Sequence, residues 1–166
     1  MSETSSFSHV FEMIKNNNIK FVDFRFTDYD GKWVHISHCS ETVGEEELSK
    51  GVSFDGSSIP EWKEIHESDM IMLPKVETAF IDPFATSPTL VITCDIIEPT
   101  TNSGYEKDPR NTAIKAEEYL KNSGIGDVAY FGPEPEFFVF DDVRFQNKPD
   151  GCSYEVDSEE SPHNSS

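Results

Sequence analysis

Apolar residues at Phe7, Val10, Met13 and Ile14 recur at three- and four-residue spacing. That pattern predicts an amphipathic helix from Phe7 to Lys15, ended by the Asn16-Asn17-Asn18 cluster. The period then changes to that of a strand. Phe24 and Phe26 alternate with Asp23 and Arg25 in the β-rich stretch 19–26, Asp28-Tyr29-Asp30-Gly31 carries a turn signal, and Trp33 to Ile36 returns as a second strand. The polar stretch from Glu41 to Lys50 is expected to contain a short helical piece, and Phe54 to Pro60 has no periodicity and reads as a loop. Short apolar pieces at 70–73 and 78–81 precede a stronger strand from Thr89 to Ile96.

Pro and Gly punctuate 98–104, which places a domain boundary there and divides the chain into 1–104 and 105–166. Beyond it, Asp108-Pro109 has the chemistry of an N-cap followed by a first-turn proline. The helix so opened runs through Ala113, Ala116, Glu117 and Leu120 and stops near Ser123-Gly124. Two strands are expected next, at 127–131 and 135–140. After Phe145 the chain turns polar, acidic and Ser-rich, with nothing that could bury a face. The fold class is α+β. A helix and two strands are too little for an independent second domain, so the expectation is of a truncated one.

Composition narrows the picture without deciding it. The 166 residues are 36% hydrophobic and include thirteen Phe, enough for a packed domain. No apolar run approaches bilayer length, so no membrane partner is expected. The N-terminus lacks the basic start and apolar core of a secretory signal. Cys39, Cys94 and Cys152 are far apart, odd in number and without zinc-type pairing, which reads as reduced, mostly buried thiols. A cytoplasmic location follows. The formal net charge of -19, with no basic patch, argues against a nucleic-acid partner. Those carboxylates either coat a solvated surface or converge on cations, and position has to decide.

Two constellations bear on that choice. In Gly132-Pro133-Glu134-Pro135-Glu136-Phe137-Phe138, a strand would set Glu134 and Glu136 on one face, because residues two apart point the same way. Like charges so close repel unless a cation lies between them, and the prolines remove backbone donors, as at a sheet edge or cavity wall. Carboxylate oxygens suit Mg²⁺ or Mn²⁺; a solvent-facing glutamate pair between turn-forming prolines is the competing reading. The second constellation is Phe54-Asp55-Gly56-Ser57-Ser58, followed by Glu67-Ser68-Asp69-Met70. Asp-Gly-Ser-Ser is good turn chemistry, and Asp55 on a cleft-facing loop could also bind a cation or accept a proton. Trp62 is either a core anchor or an exposed contact for a partner subunit, and its setting leans to the core.

Taken together these segments resemble the glutamine synthetase family. Phe54 to Ser58 with Glu67 to Met70 is similar to the family's N-terminal signature, and 20–26, Ile81-Asp82-Pro83-Phe84 and 131–140 follow in the expected order. The resemblance covers the chain from about Val10 to Arg144. It implies a β-grasp first domain and the start of an antiparallel-barrel catalytic domain. It also implies ATP-dependent ligation of ammonia to glutamate through γ-glutamyl phosphate, with two divalent metals and a double-ring homo-oligomer. Carried onto this sequence, Glu134 and Glu136 become metal ligands, Asp55 binds ammonium and takes its proton, and Trp62 lies near a subunit interface rather than in a core. Pro60-Glu61 beside Trp62 departs from the family pattern. The remaining metal ligands, the nucleotide-binding residues and the glutamate-binding arginines of the family lie beyond Ser166, so the chain alone is expected to be inactive. Two alternatives stand beside this reading: a relative that joins glutamate to another amine, and a non-catalytic module that joins or caps an oligomer.

Overall fold

In the computed structural model the described residues are 3–64, 66 and 68–161, with side chains described from Phe7 onward. The chain divides into two compact units, 1–129 and 130–166. The division falls after Ala129, with the helix at 109–123 counted in the first unit.

The first unit opens with α1, Glu3–Asn16. Val10 is fully buried, and Phe7, Phe11, Met13 and Ile14 pack on the same core, so the helical spacing read from the sequence is a packed face. The hairpin follows as β1 (Phe21–Thr27) and β2 (Trp33–Cys39), paired from Phe21 with Cys39 to Thr27 with Trp33. Asp28 closes its turn by accepting from the amides of Asp30 and Lys32 at 3.0 and 2.8 Å. α2 (Glu45–Lys50) is capped by Glu47, whose carboxylate accepts from the Gly44 amide at 2.8 Å.

The next strands are β3 (Val52–Asp55), β4 (Asp69–Pro74), β5 (Phe80–Ile81), β6 (Thr89–Glu98) and β7 (Ser103–Gly104). Their order across the sheet is β2-β1-β6-β4-β3, with β5 and β7 also paired to β6. β1 and β6 run parallel in the middle, and every other pairing is antiparallel. β6 has both faces covered, which is why it reads as a near-continuous apolar run. Phe24, Phe26, Met70, Met72, Leu90, Ile92 and Ile96 form the floor against which α1 packs. Removing one such ring, as in Phe24→Ala, costs about 3–5 kcal/mol. This is the α+β, β-grasp-like architecture that the resemblance implies.

α3 (Pro109–Ser123) starts and stops where its sequence signals lie. Asp108 accepts from the Arg110 amide at 2.9 Å as N-cap, and Gly124 closes the helix at φ 69°. Asp108 is also fully buried and accepts from the Ile96 amide at 3.0 Å, so one carboxylate ties the helix start to β6.

Four expectations need correction. Phe54 and Asp55, expected to open the loop 54–60, instead close the strand Val52–Asp55, since Val52 and Phe54 are inward-facing and pair across to β4. The strands expected at 127–131 and 135–140 are absent; the chain there has no regular structure, and Phe131, Phe137 and Phe138 are more than three-quarters exposed. A strand needs partners, and two prolines cut the available donors. The second unit instead contains a hairpin, β8 (Asp142–Lys148) and β9 (Gly151–Asp157), where only polar tail was expected. Of the cysteines, Cys94 alone is buried, while Cys39 and Cys152 are exposed. The polar end of the chain, 162–166, lies outside the described residues.

Candidate active-site loop

Asp55 ends β3 opposite Asp69, the first residue of β4. The ladder stops there because the Gly56 amide donates to the Ser68 carbonyl at 2.6 Å and the chain turns through Gly56–Ser58. A Cβ on Gly56 would lie 2.7 Å from Met70 Cγ, so only glycine lets the turn sit this close to β4. The Asp55 carboxylate then accepts from Ser57 Oγ at 2.7 Å and the Ser57 amide at 2.9 Å. The Ser57 hydroxyl, the Ser57 amide and the Ser68 hydroxyl together hold the Asp55 carboxyl below its ordinary range. The result is an exposed, firmly ionised carboxylate in a fixed orientation.

Asp69 is the residue that reading the motif alone passed over. Two carboxylates directly opposite on paired strands repel, and both are exposed. The signal was present in the spacing, but it needs the strand pairing to become visible. Glu67 of the same motif lies outside the described residues.

Behind the loop stands Trp62, only 4% exposed. Its ring lies 5.3 Å from Phe26, 6.3 Å from Phe54 and 5.2 Å from Tyr105, and Tyr105 Oη donates to its carbonyl at 2.6 Å. The ring is a core anchor, as the residue's setting leans, and the resemblance's placement of Trp62 outside a core is corrected by its burial. Its indole Nε1 is buried without a hydrogen-bond partner. Beside it Glu61 takes φ 65°, a left-handed conformation unfavourable to a side chain, and its carbonyl accepts from Lys107 Nζ.

Glu134 and Glu136 belong to the second unit and are both exposed. With no strand at 135–140, the alternation that would put them on one face is absent. Among the described residues no three His, Cys, Asp or Glu side chains converge as a metal site requires. Their oxygens have the hardness that Mg²⁺ or Mn²⁺ prefers, but two carboxylates fall short of a six-ligand set. Among the described residues no helix is long and apolar enough to cross a membrane.

Comparison with known proteins places this arrangement. The family model for the glutamine synthetase beta-Grasp domain matches residues 18–99, and that for the glutamine synthetase catalytic domain matches 106–166. The chain belongs to the glutamine synthetase family. It is 50% identical to a glutamine synthetase of Azorhizobium caulinodans over 93% of its length and 33% of the relative's. It is 51% identical to that of Methylococcus capsulatus over 94% of the chain and 33% of the relative. A protein of Cupriavidus pinatubonensis named 3-hydroxylaminophenol mutase is 51% identical over 96% of the chain and 34% of that protein. The chain thus spans about a third of the length of the curated relatives it matches. The cryo-EM structure of Plasmodium falciparum glutamine synthetase has the same fold, with a TM-score of 0.68 at 23% identity over 95% of this chain and 30% of that one.

Proposed function

We propose that this chain supplies one wall of a glutamine-forming active site, in an enzyme that ligates ammonia to glutamate at the expense of ATP through γ-glutamyl phosphate. Residues 1–104 are read as its β-grasp domain and 105–166 as the start of its catalytic barrel. The observation that carries the reading is the Asp55 carboxylate, ionised, exposed and pinned by Ser57 at the end of β3. Such a group attracts ammonium, the role its lowered pKa favours; it is also proposed to receive the proton that must leave before nitrogen attacks an acyl phosphate, against the hydrogen bonds that weaken it as a base. Asp69 opposite deepens the negative potential that draws the cation in.

Glu134 and Glu136 are proposed as ligands of Mg²⁺ or Mn²⁺, joined by oxygen ligands from elsewhere in the complete enzyme. Bound metal would neutralise phosphate charge on ATP. Trp62 is proposed to stiffen, from within, the loop that faces a neighbouring subunit in a homo-oligomer; a double ring is the form the family implies. The reading places the enzyme in the cytoplasm.

The test joins residues 1–166 to the remaining two-thirds of the Methylococcus capsulatus enzyme. Such a chimera should form glutamine from glutamate, ammonium and ATP. Asp55→Asn keeps the acceptor for the turn but removes the charge and the base. It should lower kcat/KM for ammonium by about 10²–10⁴-fold while leaving the unfolding temperature within a few degrees. An Asp55→Asn chimera with undiminished turnover would remove Asp55 from the chemistry. Conversion of 3-hydroxylaminophenol without glutamine formation would overturn the ligase reading.

A further inference from the structure

The sheet has a second face, and its outward positions are charged. Arg25 bonds Asp82 at 3.3 Å and approaches Asp23 to 3.9 Å, while Asp95 pairs with Arg110 at 2.8 Å and Lys75 at 2.9 Å. Between these pairs lies a cavity of about 180 Å³ lined by Arg25, Arg110, Thr27, Thr93, Trp33 and Phe80. It shares no residue with the Asp55 loop.

Its chemistry is specific. The Arg25 guanidinium sits over the Trp33 ring at 5.1 Å from the centroid, yet Trp33 is still 66% exposed and Phe80 42%. Two aromatic rings therefore stand open beside two guanidinium groups. Arg110 spends its Nε on Asp95, and among the described residues its terminal nitrogens carry no hydrogen bond. A carboxylate can take such a free edge, with an aromatic ring beside it to cover the apolar wall. The volume suits one ring and little more.

Charge narrows the class further. Arg25, Lys75 and Arg110 are matched by Asp23, Asp82 and Asp95, so the patch has no surplus positive charge with which to hold a polyanion. A monoanion with an apolar body needs only one open guanidinium edge and can set that body against the rings. We propose that this cavity is a binding site for a small ring-bearing monocarboxylate, held by Arg110 and packed between Trp33 and Phe80.

The test titrates the ¹⁵N-labelled 166-residue chain with benzoate, with the neutral isostere benzamide, and with inorganic phosphate. Benzoate should give saturable shifts at the Trp33 indole N–H and the Arg110 amide, with affinity about tenfold above benzamide. Phosphate should give none at Trp33. Arg110→Gln and Trp33→Ala should each weaken benzoate about tenfold in a chain whose spectrum stays dispersed. Trp33 is largely exposed, so its variant decides the matter if Arg110→Gln fails to fold. No saturable shift with benzoate, equal affinity for benzamide, or undiminished binding in Trp33→Ala would overturn the proposal.

Discussion

Glu61 holds a left-handed backbone, φ 65°, at the point where the candidate loop turns toward Trp62. A side chain there costs about 1 kcal/mol relative to glycine. Glu61→Gly should therefore raise stability to urea by about that amount, because the carbonyl that accepts from Lys107 is kept. A loss of stability would mean that the Glu61 side chain contributes more than its strain removes. Gly51 shows the opposite case at φ 88°, since a Cβ there would stand 2.5 Å from Ile71 Cγ2 and 2.6 Å from the Met72 carbonyl. The turn into β3 needs that glycine, and Asp55 is placed by β3.

Among elements, α3 depends on a carboxylate that burial disfavours. Desolvation pushes the Asp108 carboxyl up, against the amides of Ile96 and Arg110 that favour its charge; Asp95 opposes that charge and Arg110 supports it. A carboxyl with a raised pKa in the folded state contributes stability that is complete below the unfolded value, about 4, and is lost as pH rises through the folded value. Asp108→Asn lacks this dependence. The stability of wild type relative to Asp108→Asn should thus fall between pH 4 and neutrality, read by urea denaturation at each pH; a constant difference would contradict the assignment. The groups held low by hydrogen bonds, Asp55 through Ser57 and Asp82 through the Phe84 amide, act in the other sense and lose their contribution as pH falls.

The same scale shows what could be read from sequence. α1, the β1–β2 hairpin and the capped α3 were legible because period, turn and cap signals agree locally. β3 was not, because a four-residue strand offers only Val52 and Phe54 as pattern. The β8–β9 hairpin hid because its alternation sits among polar residues, although Val143 faces Val156 and Phe145 faces Tyr154 across the register. The expected strands at 127–131 and 135–140 failed for a different reason. Their apolar pattern is real, but a strand is completed by a paired neighbour, and among the described residues no strand pairs with them. Amides of 130–140 should therefore exchange with solvent within seconds to minutes in this chain and be protected in a chimera with a complete catalytic domain. Protection in the short chain would contradict the irregular structure.

At the scale of the whole molecule the two units differ in kind. The first has a continuous core from α1 through β6, and the second is a hairpin with exposed strands and open aromatic residues. The Asp55 carboxylate is fixed by two bonds from Ser57, while Glu134 and Glu136 have no third ligand among the described residues. A lone loop carboxylate in the first unit and a glutamate pair without a third ligand in the second should each fall short of holding metal or nucleotide in a reactive geometry. The most direct test is a γ-glutamyl transfer assay, with ATP, Mg²⁺ or Mn²⁺, glutamate and ammonium, run side by side on the 166-residue chain and on its chimera with a relative's remaining two-thirds. The account predicts no turnover above background for the chain and glutamine formation by the chimera. Turnover by the short chain, or a folded chimera that makes no glutamine, would contradict it.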